Sequence, residues 1–290
     1  LFIGGTAVAL TPTTEQYVPS VAHALGQEVN GVRSQWLGDV WVFNPNQQAA
    51  QVDIYLLLRG QPNPVPEKRL FVVGAGETRY LPDIVLSEFG LENAAGALRV
   101  ISSLPVVVTG RSYDANVTVE AKQRGAGSAG QFFAGQPANT AIATGEHVDV
   151  IGLDQDQEGT NGTWRSNLAL VETAGKQVQL DVQRLDASGV VVGSIPVTLR
   201  EREARQLDLV LWTIAATPGA NQRLRVTCTG GTGKVLVSAS RIDNRTGDPA
   251  TVGGSVSPRP RGGPGSDGRG RAPRQAQPDQ LLLRGVPGVP

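Results

Sequence analysis

Trp36-Leu37-Gly38-Asp39-Val40-Trp41-Val42-Phe43 and Trp164-Arg165-Ser166-Asn167-Leu168-Ala169-Leu170-Val171 decide the reading of this chain. The second stretch is a loose copy of the first, 128 residues further on. Each follows a polar Gly-containing loop, Asn30-Gly31 in one case and Gly159-Thr160-Asn161-Gly162 in the other. Working outward, Gln51-Val52-Asp53-Ile54-Tyr55-Leu56 pairs with Gln177-Val178-Gln179-Leu180-Asp181-Val182, and Gly76–Leu81 with Arg202–Leu207. Leu98-Arg99-Val100 pairs with Leu224-Arg225-Val226, and Val106–Arg111 with Val235–Arg241. Matched blocks in one order, at offsets of 126 to 130, mark a tandem duplication.

Within each copy the apolar period is two. Val40 and Val42 alternate with Asp39, Trp41 and Phe43; Val178, Leu180 and Val182 alternate with Gln177, Gln179 and Asp181. That is the pattern of half-buried antiparallel strands. Turn signals separate the runs, among them Asn44-Pro45-Asn46, Pro62-Asn63-Pro64 and Gly230-Gly231-Thr232-Gly233. Near Leu81–Phe89 and Leu207–Ile214 the spacing loosens, as in a short helical turn. The expected fold is all-β: two tandem antiparallel β-sandwich domains of immunoglobulin-like size. Their bounds are 15–120 and 141–252, with a linker at 121–140. An extension or signal-peptide remnant occupies 1–14, and a disordered Gly/Pro/Arg-rich tail 253–290.

Composition narrows the function classes. The 290 residues hold 36 Gly and 19 Pro, which suits short strands and turns and disfavours a helix bundle. Lys+Arg and Asp+Glu number 26 each, so no global field draws the chain to nucleic acid. One Cys excludes a disulfide framework, and two His leave little for metal or acid–base chemistry. Leu1–Leu10 is apolar and ends in Ala7-Val8-Ala9, like the end of a signal peptide. Ten such residues are too few for a membrane span. With no Met, the sequence reads as a processed product or fragment, exported or at the cell surface. The tail carries six Arg against Asp267 and Asp279 and too few apolar residues to order itself.

The run Val18-Pro19-Ser20-Val21-Ala22-His23, with Gly31, Trp36, Asp39-Val40, Asn44-Pro45 and Ala50-Gln51-Val52, resembles a repeat of exported bacterial proteins. In that family, immunoglobulin-like or fibronectin-like sandwiches stand alone or are appended to secreted hydrolases. Gly130-Gln131-Phe132-Phe133 and Trp164–Leu168 are similar to it too, so the resemblance spans residues 17–250. Its motifs mark a fold and not a catalytic site, so the resemblance implies a surface or secreted module and little more. The second copy departs from it with Glu172-Thr173 in place of Asn44-Pro45.

Candidate chemistry is sparse. Asp154-Gln155-Asp156-Gln157-Glu158-Gly159 resembles the opening of a calcium loop, with carboxylates at alternate positions, but Arg165 stands where the closing Glu belongs. Gly125–Gly130 spells G-x-G-x-x-G without a following helix and reads as linker; Gly230–Lys234 reads as a hairpin turn. His23 and His147 stand at the entry to each copy, Cys228 falls among inward positions, and Arg111 and Arg241 are expected to pair with Asp114 and Asp243. Trp36 and Trp164 match and so point to shared packing. Trp41 and Trp212 have no aromatic counterpart, which makes them the candidate ligand-binding residues. The expected function is a non-enzymatic structural or interaction protein, acting as spacer, adhesive or assembly module. The alternative is a carbohydrate-binding module. Partners are a protein or surface polysaccharide, with self-assembly through open sheet edges as a further expectation.

Overall fold

Sequence alternation becomes burial alternation. In Ala50–Leu58, the side chains of Ala50, Val52, Ile54 and Leu56 are buried, while Gln51, Asp53 and Tyr55 point outward. Val178, Leu180 and Val182 do the same in Val178–Leu185. The computed structural model describes residues 10–29, 32–117 and 127–256. Residues 1–9 of the extension expected at 1–14, and residues 257–290 of the tail expected at 253–290, lie outside the described residues.

The first repeat contributes β1 (Thr13–Val29), β2 (Val32–Phe43), β3 (Ala50–Leu58), β4 (Lys68–Val73), β5 (Thr78–Leu81), β6 (Ala94–Val117), β7 (Gly127–Ala134) and β8 (Gln136–Pro137). The second contributes β9 (His147–Gln155), β10 (Trp164–Glu172), β11 (Val178–Leu185), β12 (Val191–Leu199), β13 (Ala204–Leu207), β14 (Gly219–Gly231), β15 (Val235–Asp243) and β16 (Pro249–Val256). Two short helices, α1 (Ile84–Ser87) and α2 (Val210–Ile214), fall where the spacing loosens. The described chain is all-β, with two antiparallel eight-stranded sheets, each curled around its own core.

The repeats share a strand plan and differ in one instructive way. The 24-residue β6 pairs with β1 and β3 through its first half, then with β2 and β7 through its second. In the second repeat that work is divided: β14 pairs with β9 and β11, and β15 with β10 and β16. The expected Gly230–Lys234 turn is the break, and Gly231 takes φ 87° there. Register also refines the sequence match: Val52, Ile54 and Leu56 correspond to Leu180, Val182 and Arg184, two places from the block alignment.

The linker expected at 121–140 is corrected in part. Residues 127–134 form β7, antiparallel to β6, and Phe133 is buried in the first core. The small residues that suggested a linker let β7 approach closely: a Cβ on Gly130 would lie 2.4 Å from Tyr113 Cβ. Likewise Gly253–Val256, placed in the tail, completes β16, and Thr13 already begins β1.

The halves meet sheet against sheet. Tyr17, Leu57 and Ala97 from the outward side of β1, β3 and β6 form one buried cluster with Val171, Ala204 and Leu236. Its margin is polar and specific: Tyr17 Oη donates to Thr173 O (3.2 Å), Gly60 N to Ala204 O (2.8 Å), and Asn63 Nδ2 to Arg202 O (3.0 Å). Burial raises the Tyr17 phenol well above its ordinary range, so it stays a donor. The turn that meets Asn63 is held from behind. The fully buried Glu172 carboxylate accepts N–H bonds from Ala174, Gly175, Lys176, Arg202 and Lys234. Glu203, also fully buried, lies between Arg200 (2.8 Å) and Arg205 (2.6 Å).

Leu57→Asp places an unpaired carboxylate in the joint and is expected to cost about 3 kcal/mol or more, splitting one thermal transition into two by calorimetry. Burial acts to raise the Glu203 pKa, but bonds from Arg200 and Arg205 outweigh it and the net shift is downward from 4.5. The native state therefore holds this proton less tightly than the unfolded chain. Its stabilisation is full above about pH 4.5 and is lost as pH falls through the depressed folded value. Urea titrations across pH 2–6, a range set by ordinary carboxylate pKa values near ~4, should show a steeper acid limb for the parent than for Glu203→Gln.

Candidate functional site

Half of each strand points away from the core, and on β5, β2, β6 and β7 that half includes the aromatic side chains of Tyr80, Trp41, Phe43, Tyr113 and Phe132. Trp41 lies opposite Tyr80 on β5 and Thr109 on β6; Phe43 lies opposite Thr78 and Val107. One strand further on, Arg111 lies opposite both Asp39 and Phe132. Trp41 and Tyr80 stack with centroids 5.0 Å apart and planes 19° from parallel. Arg111 sits over the Tyr113 ring at 4.3 Å and donates to Ser128 Oγ at 2.8 Å. Phe43, Tyr80 and Phe132 remain 38%, 48% and 54% exposed, enough for a contiguous patch that a partner could cover.

Asp39 anchors this face from beneath. Its carboxylate is 5% exposed and accepts from Tyr80 Oη (3.1 Å), Tyr113 Oη (3.4 Å) and the Asp83 backbone N–H (2.9 Å). Asp83 has a left-handed backbone, φ 42°, where α1 begins. The second repeat solves the same problem with an amide: Asn167 Oδ1 accepts the N–H of Leu209, φ 52°, at the start of α2. Burial first, and then the Asp39 carboxylate, raise the Tyr80 and Tyr113 phenols, which remain protonated donors. The arrangement offers ring stacking, apolar contact and one cation.

The expected site residues fall in separate places. Trp41 belongs to this face, but Tyr80 covers one side of its indole. Trp212 is half-buried on α2 of the second repeat, beside the buried Val210 and Leu211. The loop carboxylates are engaged by the protein itself. Asp154 accepts the Asn221 N–H (2.7 Å) and Arg241 Nη1 (2.8 Å). Asp156 accepts the N–H groups of Thr163 (2.7 Å) and Trp164 (3.0 Å), which hold it below the ordinary carboxylate range although burial opposes them. Glu158 is exposed on the same loop. Among the described residues, no three or more His, Cys, Asp or Glu are grouped to hold a metal ion.

Other expectations resolve locally. His23 bonds to Asp83 (2.8 Å), whereas His147 lies in β9 opposite Thr227, so the two histidines are not equivalent. Cys228 is buried, donates to Ile142 O at 3.6 Å, and has its thiol pushed up to about 12, chiefly by burial. The two expected Arg–Asp pairs are replaced by other contacts. Arg241 turns to Asp154 and Trp164, while Asp114 accepts the N–H groups of Gln35 and Asn116. Arg111 and Arg241 occupy different register places, opposite Asp39 and Ser166.

Sequence reasoning found Trp41 and missed Tyr80, Tyr113, Phe43 and Phe132. The available signal was the outward set Asp39, Trp41 and Phe43 read together with Tyr80 on the next matched block. Comparison with protein-family models, curated proteins and solved structures finds no match to this chain. Among the described residues, no helix is long and apolar enough to cross a membrane.

Asp39→Asn keeps an oxygen for the Asp83 N–H, as Asn167 does for Leu209, and is expected to cost under about 1 kcal/mol in urea unfolding. Asp39→Leu strands three donors and is expected to cost about 2–3 kcal/mol. Because Asp154 and Asp156 are already satisfied, millimolar calcium or its chelator should move the melting temperature by less than about 1 °C.

Proposed function

We propose that this is a non-catalytic interaction protein of the exported or cell-surface kind. Its two repeats act as one stiff spacer, and the aromatic face of the first repeat holds a protein partner. The observation that carries this reading is the gathering of Trp41, Phe43, Tyr80, Tyr113 and Phe132 on one outward sheet face, three of them substantially exposed. Aromatic side chains bring large contact area at low entropic cost and are enriched at the centres of protein interfaces. The buried joint between the halves supports the spacer role, since a hinge would leave Tyr17 and Leu57 open to water.

Each curled sheet is further read as a distorted immunoglobulin-like sandwich. Supporting that, the first repeat divides into the strand runs β4-β3-β6-β1 and β5-β2-β6-β7, which share one core. Carbohydrate binding is the second reading, and the half-exposed Trp41 favours it; the Tyr80 ring against its indole argues for a protein partner instead.

The test is retention of the full chain on cell-envelope fractions, with and without prior protease treatment of the envelope. Retention should vanish after proteolysis. It should also fall about tenfold in Phe43→Glu/Phe132→Ser, a loss typical of interface hot spots, with little change in melting temperature. Retention that survives proteolysis and is lost in Trp41→Ala transfers the face to a polysaccharide. No retention on either material overturns the proposal.

A further inference from the structure

The two repeats treat one sheet face in opposite ways. In the second repeat, Val171 lies opposite Ala204 and Leu236, and all three are buried against Tyr17, Leu57 and Ala97. Phe43, opposite Thr78 and Val107, occupies the same place in the first repeat. The cover shows in the burial pattern. Val235 to Ala239 is buried without interruption, whereas Val106 to Gly110 alternates between buried and half-buried. The first repeat thus presents an apolar node, 38% exposed at Phe43, at the location where its duplicate is sealed by a neighbouring sheet. Beside that node stand Trp41 and Tyr80, where the sealed face has Ala169 and Gln206.

We propose that the β5-β2-β6 face of the first repeat docks the outward sheet face of a further β-unit of this repeat type, one presenting a tyrosine, a leucine and a small residue as Tyr17, Leu57 and Ala97 do. This rests on the reading of that face as a binding surface and supplies the kind of partner. An unmodified second copy does not fit. In each copy the Tyr17–Leu57–Ala97 face is already covered by its own second repeat. On the equivalent face of the second repeat, Asp149 and Arg223 stand where Tyr17 and Ala97 would be, flanked by the Asp149–Arg225 pair at 2.9 Å. Asp149 and Arg223 pair with each other at 4.0 Å, and setting them on Phe43 and Val107 would strip their water while the apolar node offers no polar group in return. The internal joint is a heterologous contact, one that propagates whenever both of its surfaces are free.

That supplies the test. In the full chain, Asp149→Tyr/Arg223→Ala supplies the missing tyrosine and small residue on the second repeat and opens the side of Leu185, 3% exposed in the parent, that faces position 223. The parent should stay monomeric in light scattering behind a sizing column. The double variant should gain about twofold or more in weight-average mass at ~100 µM, where a micromolar interface is filled. Adding Phe43→Glu should return it to monomer. A folded double variant that stays monomeric overturns the proposal, as does association that Phe43→Glu leaves intact. Should Asp149→Tyr prevent folding, Asp149→Asn/Arg223→Leu removes both charges from that face with a smaller change at position 149 and is read by the same two outcomes. No natural partner enters this assay, so it stands or falls apart from envelope retention. Association without retention removes the cell-surface reading and leaves the docking chemistry; retention without association does the reverse.

Discussion

A sheet that curls around a core covers one face of its strands and leaves the other to find its own neighbour. Here each repeat buries Val, Ile and Leu inside, and the outward faces determine how the halves are arranged. The joint works because its residues are small where backbones come close, as at Ala97 and Ala204, and large where there is room, as at Tyr17 and Leu57. Six buried side chains of this kind would hold two sheets together in many orientations. The bonds around Asn63, Gly60 and Thr173 select one of them.

The duplication has preserved positions more faithfully than chemistry. Asn44 and Glu172 are both fully buried at the end of their strands. Asn44 donates to the carbonyls of Gln48, Val73 and Gly74, while Glu172 collects backbone N–H groups. Both accept the N–H two residues on, from Asn46 and from Ala174, so the turn behind each is kept while the amide adds donation and the carboxylate further acceptance. Glu77 and Glu203 keep a shared duty, since each accepts the N–H three residues before it. Arg184 shows the freedom at other places. Where the first core has Leu56, the second buries a guanidinium that closes the end of α2 through the carbonyls of Leu211, Ala215 and Thr217.

Much of the fold was legible because period-two patterning survives at both copies of nearly every strand. The helical turns were legible because that pattern breaks there. β7 was hidden: Gly127-Ser128-Ala129-Gly130 has linker composition, and its strand conformation comes from β6 beside it and from Phe133 below. The aromatic face was half legible. Trp41 lacked a counterpart, which drew attention to it, but apart from Phe43 on the same strand its companions come from three other strands, and only pairing register puts them together. The acidic loop misled for a related reason: spacing gives the order of carboxylates, and not which backbone N–H groups Asp156 already serves.

The continuous β6 and the sheet-on-sheet joint also govern the order of events as the chain leaves the ribosome. The first repeat can close once β7 and β8 have emerged, at Pro137. The residues that cover Tyr17, Leu57 and Ala97 arrive between Val171 and Leu236, so the cover is complete only roughly 100 residues later, or about 5–20 s of synthesis at ~5–20 residues per second. For that interval the nascent first repeat is folded yet sticky on two faces, one of them awaiting its own second half. Until Leu236 arrives, the joint's apolar side chains have no complete partner surface within their own chain.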